Sequence, residues 1–421
     1  MTTAFKKALA RTTEEADFYS TGGFHPVSLG DTFNSGTYKV MRKLGYGQYS
    51  TVWLARDSKA QKYVALKILR ADCYGGSHDI FEREILSRLS DISRKSDHGG
   101  RHHVLPLLDQ FKHEGPNGQH VCFVFDVLGH HLDFQTAKYE DGRLPLKAVK
   151  IIARQLLLGL DFLHRECGII HTGIAMRCES PLTHYNSANY GRHIDLKPTN
   201  ILLELETPEE TIEKYLSEIP ARVSHERGVT KPLREVIRTP LISEMLEPRI
   251  RIVDFGVASW SDNHLSDVVQ SPALRAPEVT IGAHWDASID IWSLGCLVVE
   301  FVQGIVPFSG AASKYGSWTV DDDRLARTIE ILGNFPPELL RKGNRSAEFF
   351  NTSGGLLRIS DLKPTSLERL IDGTERPFLK PNDMSDAETP IFIDFLRGML
   401  TIDPAHRKSA AELLQHEWFK M

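Results

Sequence analysis

The pattern of apolar and polar positions divides the chain into two kinds of region. Tyr38–Leu44 reads as a strand, followed by the turn Gly45-Tyr46-Gly47-Gln48-Tyr49-Ser50 and a second strand at Thr51–Arg56. A third β-like run, Tyr63–Leu69, follows a short polar turn. Ile80, Ile85 and Leu89 then recur at near-helical spacing within Asp79–Leu89, and Val121–Leu128 is an apolar strand ending at Gly129. Residues 38–128 therefore predict a small, mostly β lobe with one helix, preceded by an N-terminal extension over 1–37. From Leu146 the period lengthens: Val149, Ile152, Leu156, Leu160 and Leu163 mark a long amphipathic helix. Further helices are expected at Ile289–Gln303, Asp323–Leu332, Thr389–Leu400 and Ser409–His416. Residues 129–419 thus predict a larger, mainly helical lobe, and the fold class is α+β. Two stretches break this order. Residues 173–194 are small and polar without a period, and residues 205–248 hold dense charge and several prolines, as expected of a solvated excursion.

The candidate chemistry begins at the glycine turn. Gly45-x-Gly47 between two strands lets a backbone approach a phosphate closely and donate N–H groups to it. By itself it is a weak signal that more often marks an ordinary hairpin. The third glycine of G-x-G-x-x-G is absent, with Ser50 in its place, and a strand rather than a helix follows, which disfavours a dinucleotide fold. Val64-Ala65-Leu66-Lys67 comes next, and a lysine inside an apolar strand is costly to bury without an anionic partner. Glu84 on the following helix is the expected partner, and the pair resembles the strand lysine and helix glutamate of protein kinases. Asp195-Leu196-Lys197-Pro198-Thr199-Asn200 resembles the kinase catalytic loop, Val253-Asp254-Phe255-Gly256 the metal-binding motif and Ala276-Pro277-Glu278 the end of the activation segment. The resemblance implies a bilobal kinase fold and use of ATP with Mg²⁺. Asp195 would accept the substrate hydroxyl proton, Lys197 would balance charge on the transferred phosphoryl group, and Asn200 and Asp254 would hold the metal.

A closer resemblance rests on longer segments. Gly22-Gly23-Phe24-His25-Pro26-Val27, Arg42-Lys43-Leu44-Gly45-Tyr46-Gly47 and Ser50-Thr51-Val52-Trp53-Leu54-Ala55 are similar to the start of the SR-protein kinases. Val124–Leu132 resembles that family's hinge, with Phe125 as gatekeeper and Asp126 and Leu128 offering backbone groups to adenine. Leu44, Gly45, Gly47, Val52, Ala65 and Lys67 would complete the ATP site. Asp323–Gly333, Glu348-Phe349-Phe350 and Leu362-Lys363-Pro364 resemble the insert of residues 305–388, and Ile402-Asp403-Pro404-x-x-Arg407 the C-terminal end, where Arg407 would pair with Glu278. Phe255 in the metal motif points to a fungal branch. The resemblance implies phosphorylation of serines in Arg/Ser-rich segments of splicing-type proteins, bound through an acidic groove. Asp323 and Glu330 would supply its carboxylates, with Asp321 and Asp322 adding charge and Arg324 and Arg327 removing some. The same acids also suit a solvated helix start. Residues 205–248 occupy the place of the family's spacer in shortened form, and Ser259, Ser261, Ser266 and Ser271 lie in the activation segment.

The catalytic loop carries one fault. Ile169-Ile170-His171-Thr172 should run directly into Asp195, yet the 22 residues Gly173–Ile194 intervene. One reading is a genuine insertion beside the general base, where positioning matters most. His193-Ile194-Asp195 would then imitate the usual His-x-Asp arrangement, or the enzyme would be crippled and act as a pseudokinase scaffold. The other, favoured reading is an intron retained in the gene model. Its removal is in frame, codons for Gly173 and for Ile194-Asp195 permit donor and acceptor sites, and the product would read His171-Thr172-Asp195.

Composition changes little. The 421 residues are 41% hydrophobic and 25% charged with a formal net charge of -5, which excludes a disordered chain and gives no support to broad nucleic-acid binding. No apolar run reaches the length of about 18 residues that a membrane helix needs. The 5 cysteines form no C-x-x-C pair and read as reduced thiols used as small hydrophobes. A monomer in the cytoplasm or nucleus is the expectation.

Overall fold

A computed structural model describes residues 16–74, 80–173, 198–221, 223–224, 234–235, 245 and 247–421. The contacts divide the chain into two compact units. One comprises residues 1–96, 104–138 and 201–256, and the other 97–103, 139–200 and 257–421. A single cut after residue 128 therefore misses a return of the chain, since 201–256 packs with the first unit.

The first unit is built on a six-stranded antiparallel sheet. Its strands are β1 (Thr32–Phe33), β2 (Tyr38–Tyr46), β3 (Ser50–Asp57), β4 (Lys62–Leu69), β5 (Asp109–Gly115) and β6 (Gly118–Phe125), in the order β1-β2-β3-β4-β6-β5. The period-2 pleat places Val40, Trp53, Ala55, Val64, Leu66, Ile68, Cys122 and Val124 on one face, where they form a core with Val27, Phe33 and Tyr38. Burial of each large aliphatic side chain there contributes about 1.5–3 kcal/mol. The opposite face is left to Val52, Ala65 and Lys67. Two register shifts in β2, between Val40 and Arg42 and between Lys43 and Gly45, bend the strand before the glycine turn, which Gly47 N–H closes on Ser50 O at 2.8 Å. The helix predicted for this lobe, α1 (Glu82–Ser93), buries Ile85, Leu86 and Leu89.

Residues 205–248 are not wholly a solvated excursion. Pro208–Glu218 is a helix, with Pro208 in its first turn. Ile212, with Tyr215 and Leu216 at helical spacing, joins Leu205 against Leu54 and Val127. Glu209 fastens the helix start to the sheet, accepting from Tyr63 N–H at 3.0 Å and pairing with Arg56 at 2.7 Å. The dense charge of the segment hid this apolar stripe.

The second unit is helical, as the longer period predicts. Its longest members are α2 (Leu146–Asp161), α3 (Ser288–Gln303), α4 (Val320–Leu332) and α5 (Glu388–Met399). α3 is apolar on nearly every side and is correspondingly buried. α4 starts one turn before the apolar pattern does. Thr319 caps it, accepting from Asp322 N–H while Asp322 accepts from Thr319 N–H, a reciprocal capping box. Ile281, Leu325, Phe335, Leu339, Phe349, Phe350 and Ile402 form the core beneath it. Among the described residues no helix is long and apolar enough to cross a membrane, and Cys73, Cys122, Cys167 and Cys296 are buried and form no disulfide.

Candidate active site

Strand register assembles one side of the site. Gly45 lies opposite Val52, Val52 opposite Lys67, and Lys67 opposite Phe123, so a row crosses four strands. Two residues along, Leu54 faces Ala65 and Ala65 faces Phe125, which places Phe125 at the end of β6. Leu44 joins the apolar cluster around Leu54. Lys43 is buried beside the turn with its ammonium 5.6 Å from the Tyr46 ring and 5.1 Å from the Trp53 ring, a cation–π contact between the turn and its strand. Past Phe125, the Asp126 carboxylate turns outward to Lys62 at 3.0 Å, and Gly129 N–H is held by Leu203 O at 2.8 Å, fixing the two ends of the segment that contains Leu128.

The lysine is paired, but with a different glutamate. Lys67 Nζ lies 2.5 Å from Glu82 Oε1 and 3.1 Å from Asp254 Oδ1. Glu84 instead binds Arg83 at 2.7 Å on an open surface. Both acids fall in the first turn of α1, and only the helix phase distinguishes them. Glu82 faces the sheet and is 2% exposed, whereas Glu84 is 38% exposed. Burial acts against the Lys67 ammonium, yet the Asp254 and Glu82 carboxylates outweigh it and hold its pKa above the ordinary lysine value. Burial raises the Glu82 pKa, and Oε2 of Glu82 has no hydrogen-bond partner among the described residues.

Asp254 follows the strand Ile250–Ile252, which pairs with Ile201–Leu203. Its φ of 65° lies in the left-handed region, which costs most residues about 1 kcal/mol or more but which aspartate adopts more readily. The carboxylate is 48% exposed, and one of its oxygens serves Lys67. This hard oxygen donor suits Mg²⁺. Asn200 ends the turn Pro198–Asn200 that feeds Ile201–Leu203. Asp195 and Lys197, with the segment from 174 to 194, lie outside the described residues.

The second unit holds the approach to the catalytic loop. Asp290, buried in α3, accepts from the backbone N–H of His171 at 2.8 Å and of Thr172 at 2.9 Å, and lies 2.9 Å from His164 Nε2. Thr172 donates to Val257 O at 2.7 Å. The chain is thus held up to Thr172, the residue just before the anomalous segment. Contacts within the chain hold the activation segment. Gln270, buried at a φ of 66°, donates to Ile289 O and Ser293 Oγ and accepts from Ala276 N–H. Arg275 donates to Val269 O and Gln270 O, both at 3.0 Å. His264 stacks on Trp285 with ring centroids 3.6 Å apart. Of the four serines, Ser259 is buried and accepts from Leu265 N–H, while Ser261 and Ser266 are exposed and Ser271 is half-buried. Glu278 and Arg407 meet in a fully buried fork, NH1 to Oε1 at 2.7 Å and NH2 to Oε2 at 3.0 Å. Sequence reasoning missed Glu82, Asp290 and Gln270. The signal for Asp290 was present, because a carboxylate between Ile289 and Ile291 must be buried and must find donors.

A sheet lysine joined to a helix carboxylate and to a strand-end aspartate is the charge arrangement of a nucleotide-dependent phosphotransferase. The protein kinase domain profile matches residues 38–176 and 184–419, with its break inside the anomalous segment. Protein kinase dsk1 of Schizosaccharomyces pombe is 32% identical over 97% of this chain and 85% of its own. Serine/threonine-protein kinase SRPK of Physarum polycephalum is 32% identical over 96% of this chain and 91% of its own. SRSF protein kinase 3 of Homo sapiens is 29% identical over 96% and 90%. The chain belongs to the protein kinase domain family and, within it, to the SR-protein kinases, and it is a protein serine/threonine kinase.

Proposed function

We propose that this kinase transfers the γ-phosphoryl group of ATP to serines in Arg/Ser-rich segments of splicing-type proteins. The observation that carries the reading is the Lys67–Glu82–Asp254 triad, an ion cluster with one half-exposed carboxylate. Glu82 orients the Lys67 ammonium for the α- and β-phosphates. Asn200 and Asp254 hold Mg²⁺, which supplies charge neutralisation on the phosphates. Asp195 receives the serine hydroxyl proton, and Lys197 balances charge on the group in flight. The Arg/Ser substrate class is supported by the name SRSF protein kinase 3 carried by relatives such as the human one.

We also propose that residues 173–194 are absent from the working enzyme. Asp290 grips the backbone up to Thr172, and direct continuation into Asp195 would leave the base one residue from that grip. Sequencing cDNA across the region decides this point, and transcripts that all retain the 66 nucleotides overturn it. A monomer of the cytoplasm or nucleus is the accompanying proposal, checked by light scattering and by imaging of the tagged chain.

The activity is tested by phosphate transfer from ATP to an Arg-Ser repeat peptide, with the chain as written and with one lacking 173–194. The expected result is transfer by the shorter form and loss of roughly 100-fold or more on Asp195→Ala. Equal transfer with and without Asp195 rejects the reading.

A further inference from the structure

The aspartate run at the start of α4 is not a free acidic patch. Each of its three carboxylates already carries an arginine of the same chain. Asp321 Oδ1 lies 3.0 Å from Arg324, Asp322 Oδ1 2.7 Å from Arg358, and Asp323 Oδ2 2.8 Å from Arg327 Nε. Two of these pairs are structural. Arg324 and Asp322 are almost wholly buried, and Asp322 also caps the helix. The third is different. Arg327 is 42% exposed and Asp323 21% exposed, one helical turn apart on the outer face. Arg327 uses only its Nε there. Asp323 Oδ2 also accepts from Ala311 N–H at 2.8 Å, while its Oδ1 has no hydrogen-bond partner among the described residues. Glu330, one further turn along, accepts from Lys363 N–H at 2.7 Å through Oε1 and leaves Oε2 without one among the described residues.

Granted Arg-rich segments as substrates, which the proposal above supplies, we infer that Arg327 is an intramolecular competitor for the substrate guanidinium at Asp323. It is thereby a specificity-determining residue of the docking face. A guanidinium on a carboxylate is strongest as a two-pronged fork. Arg327 blocks that fork at Asp323 with a single, partly exposed contact of its own, and it adds one positive charge to the face. An exposed pair of this kind contributes only about 0.2–1 kcal/mol. An incoming arginine therefore displaces it readily, while a segment with few arginines gains too little to do so. The competitor raises the number of arginines a substrate needs.

The test is direct binding of a fluorescein-labelled Arg-Ser repeat peptide to the full chain, read by anisotropy at low and moderate salt, so that turnover is not required. Arg327→Ala is expected to bind about threefold to fivefold more tightly, with a steeper salt dependence. Arg327→Lys keeps the charge and should return most of the way to the parent. A peptide with citrulline in place of arginine should bind parent and Arg327→Ala alike, which a general loosening of the helix would not give. Glu330→Gln keeps the acceptor for Lys363 and removes only charge, and it is expected to weaken binding about threefold. Weakening by Glu330→Gln with no tightening by Arg327→Ala rejects the competitor and leaves the docking face standing. No change with Glu330→Gln rejects the docking face itself.

Discussion

Two ion clusters, one in each unit, show how the same chemistry is set to opposite purposes. Arg407 and Glu278 are both 0% exposed, and every Arg407 nitrogen is used, on Glu278, Ser288 O and Thr401 O. Lys67 and Glu82 are also nearly buried, but Glu82 Oε2 has no hydrogen-bond partner among the described residues and Asp254 is half open. The saturated pair holds the second unit together and has nothing left to offer a ligand. The unsaturated one keeps hydrogen-bonding capacity unspent, as the proposed phosphate and metal site requires. Burial alone does not separate a structural ion pair from a functional one; the unfilled hydrogen-bonding capacity does.

Breaking the saturated pair gives the largest effect. Arg407→Ala leaves a buried carboxylate unmatched and is expected to cost about 3–5 kcal/mol of stability, read from urea unfolding of the second unit. An unchanged midpoint would contradict the structural role. The unsaturated cluster should respond in activity instead. Glu82→Gln removes the charge that orients Lys67 and is expected to lower turnover roughly 100-fold with a smaller change in unfolding midpoint. Glu84→Gln, on its exposed contact with Arg83, should leave both within error; the reverse result would restore Glu84 as the partner.

A smaller effect sharpens the contrast between the units. Gln270→Ala strips three hydrogen bonds from the activation segment and should cost about 1–3 kcal/mol, seen as faster local hydrogen exchange over 257–276. The smallest is confined to the first unit. His25 packs 4.6 Å from the His113 ring and 5.1 Å from the His120 ring. Burial first, then those two histidines, lower its pKa from 6.5 to about 3. Burial also lowers the His113 and His120 pKa values, against Glu114 and Asp31 on His113, and against Leu69 O and Glu114 on His120. A depressed histidine favours folding when neutral. Its contribution is complete above pH 6.5 and is lost as pH falls from there towards 3. Thermal unfolding of His25→Phe should be flatter than the parent across that window, and an identical slope removes His25 from the acid response.

Much of this was legible in the chain because local patterns encode local geometry. β2, β3, β4 and α2 sit within a few residues of where period-2 and period-3.6 spacing place them, and Arg407 pairs with Glu278 as the resemblance of Ile402-Asp403-Pro404-x-x-Arg407 to the family's C-terminal end implied. The misses share a cause. The helix Pro208–Glu218 is short and its apolar stripe is diluted by charge, so only its docking on Leu54 and Val127 makes it a core element. β5 alternates half-buried and exposed positions with no strong apolar face, and its pairing with β6 defines it.

The sequence by itself determined the kinase motifs, their order and the residue types that phosphoryl transfer needs, because those chemistries tolerate few substitutes. Tertiary structure alone decided which acid serves Lys67, since Glu82 and Glu84 are two residues apart and differ only in the direction the helix turns them. It also decided what the aspartates of α4 are worth. Three adjacent carboxylates read as a negative patch until the fold brings Arg324, Arg327 and Arg358 against them, and an electric field depends on where charges meet, not on how they are spelled along the chain.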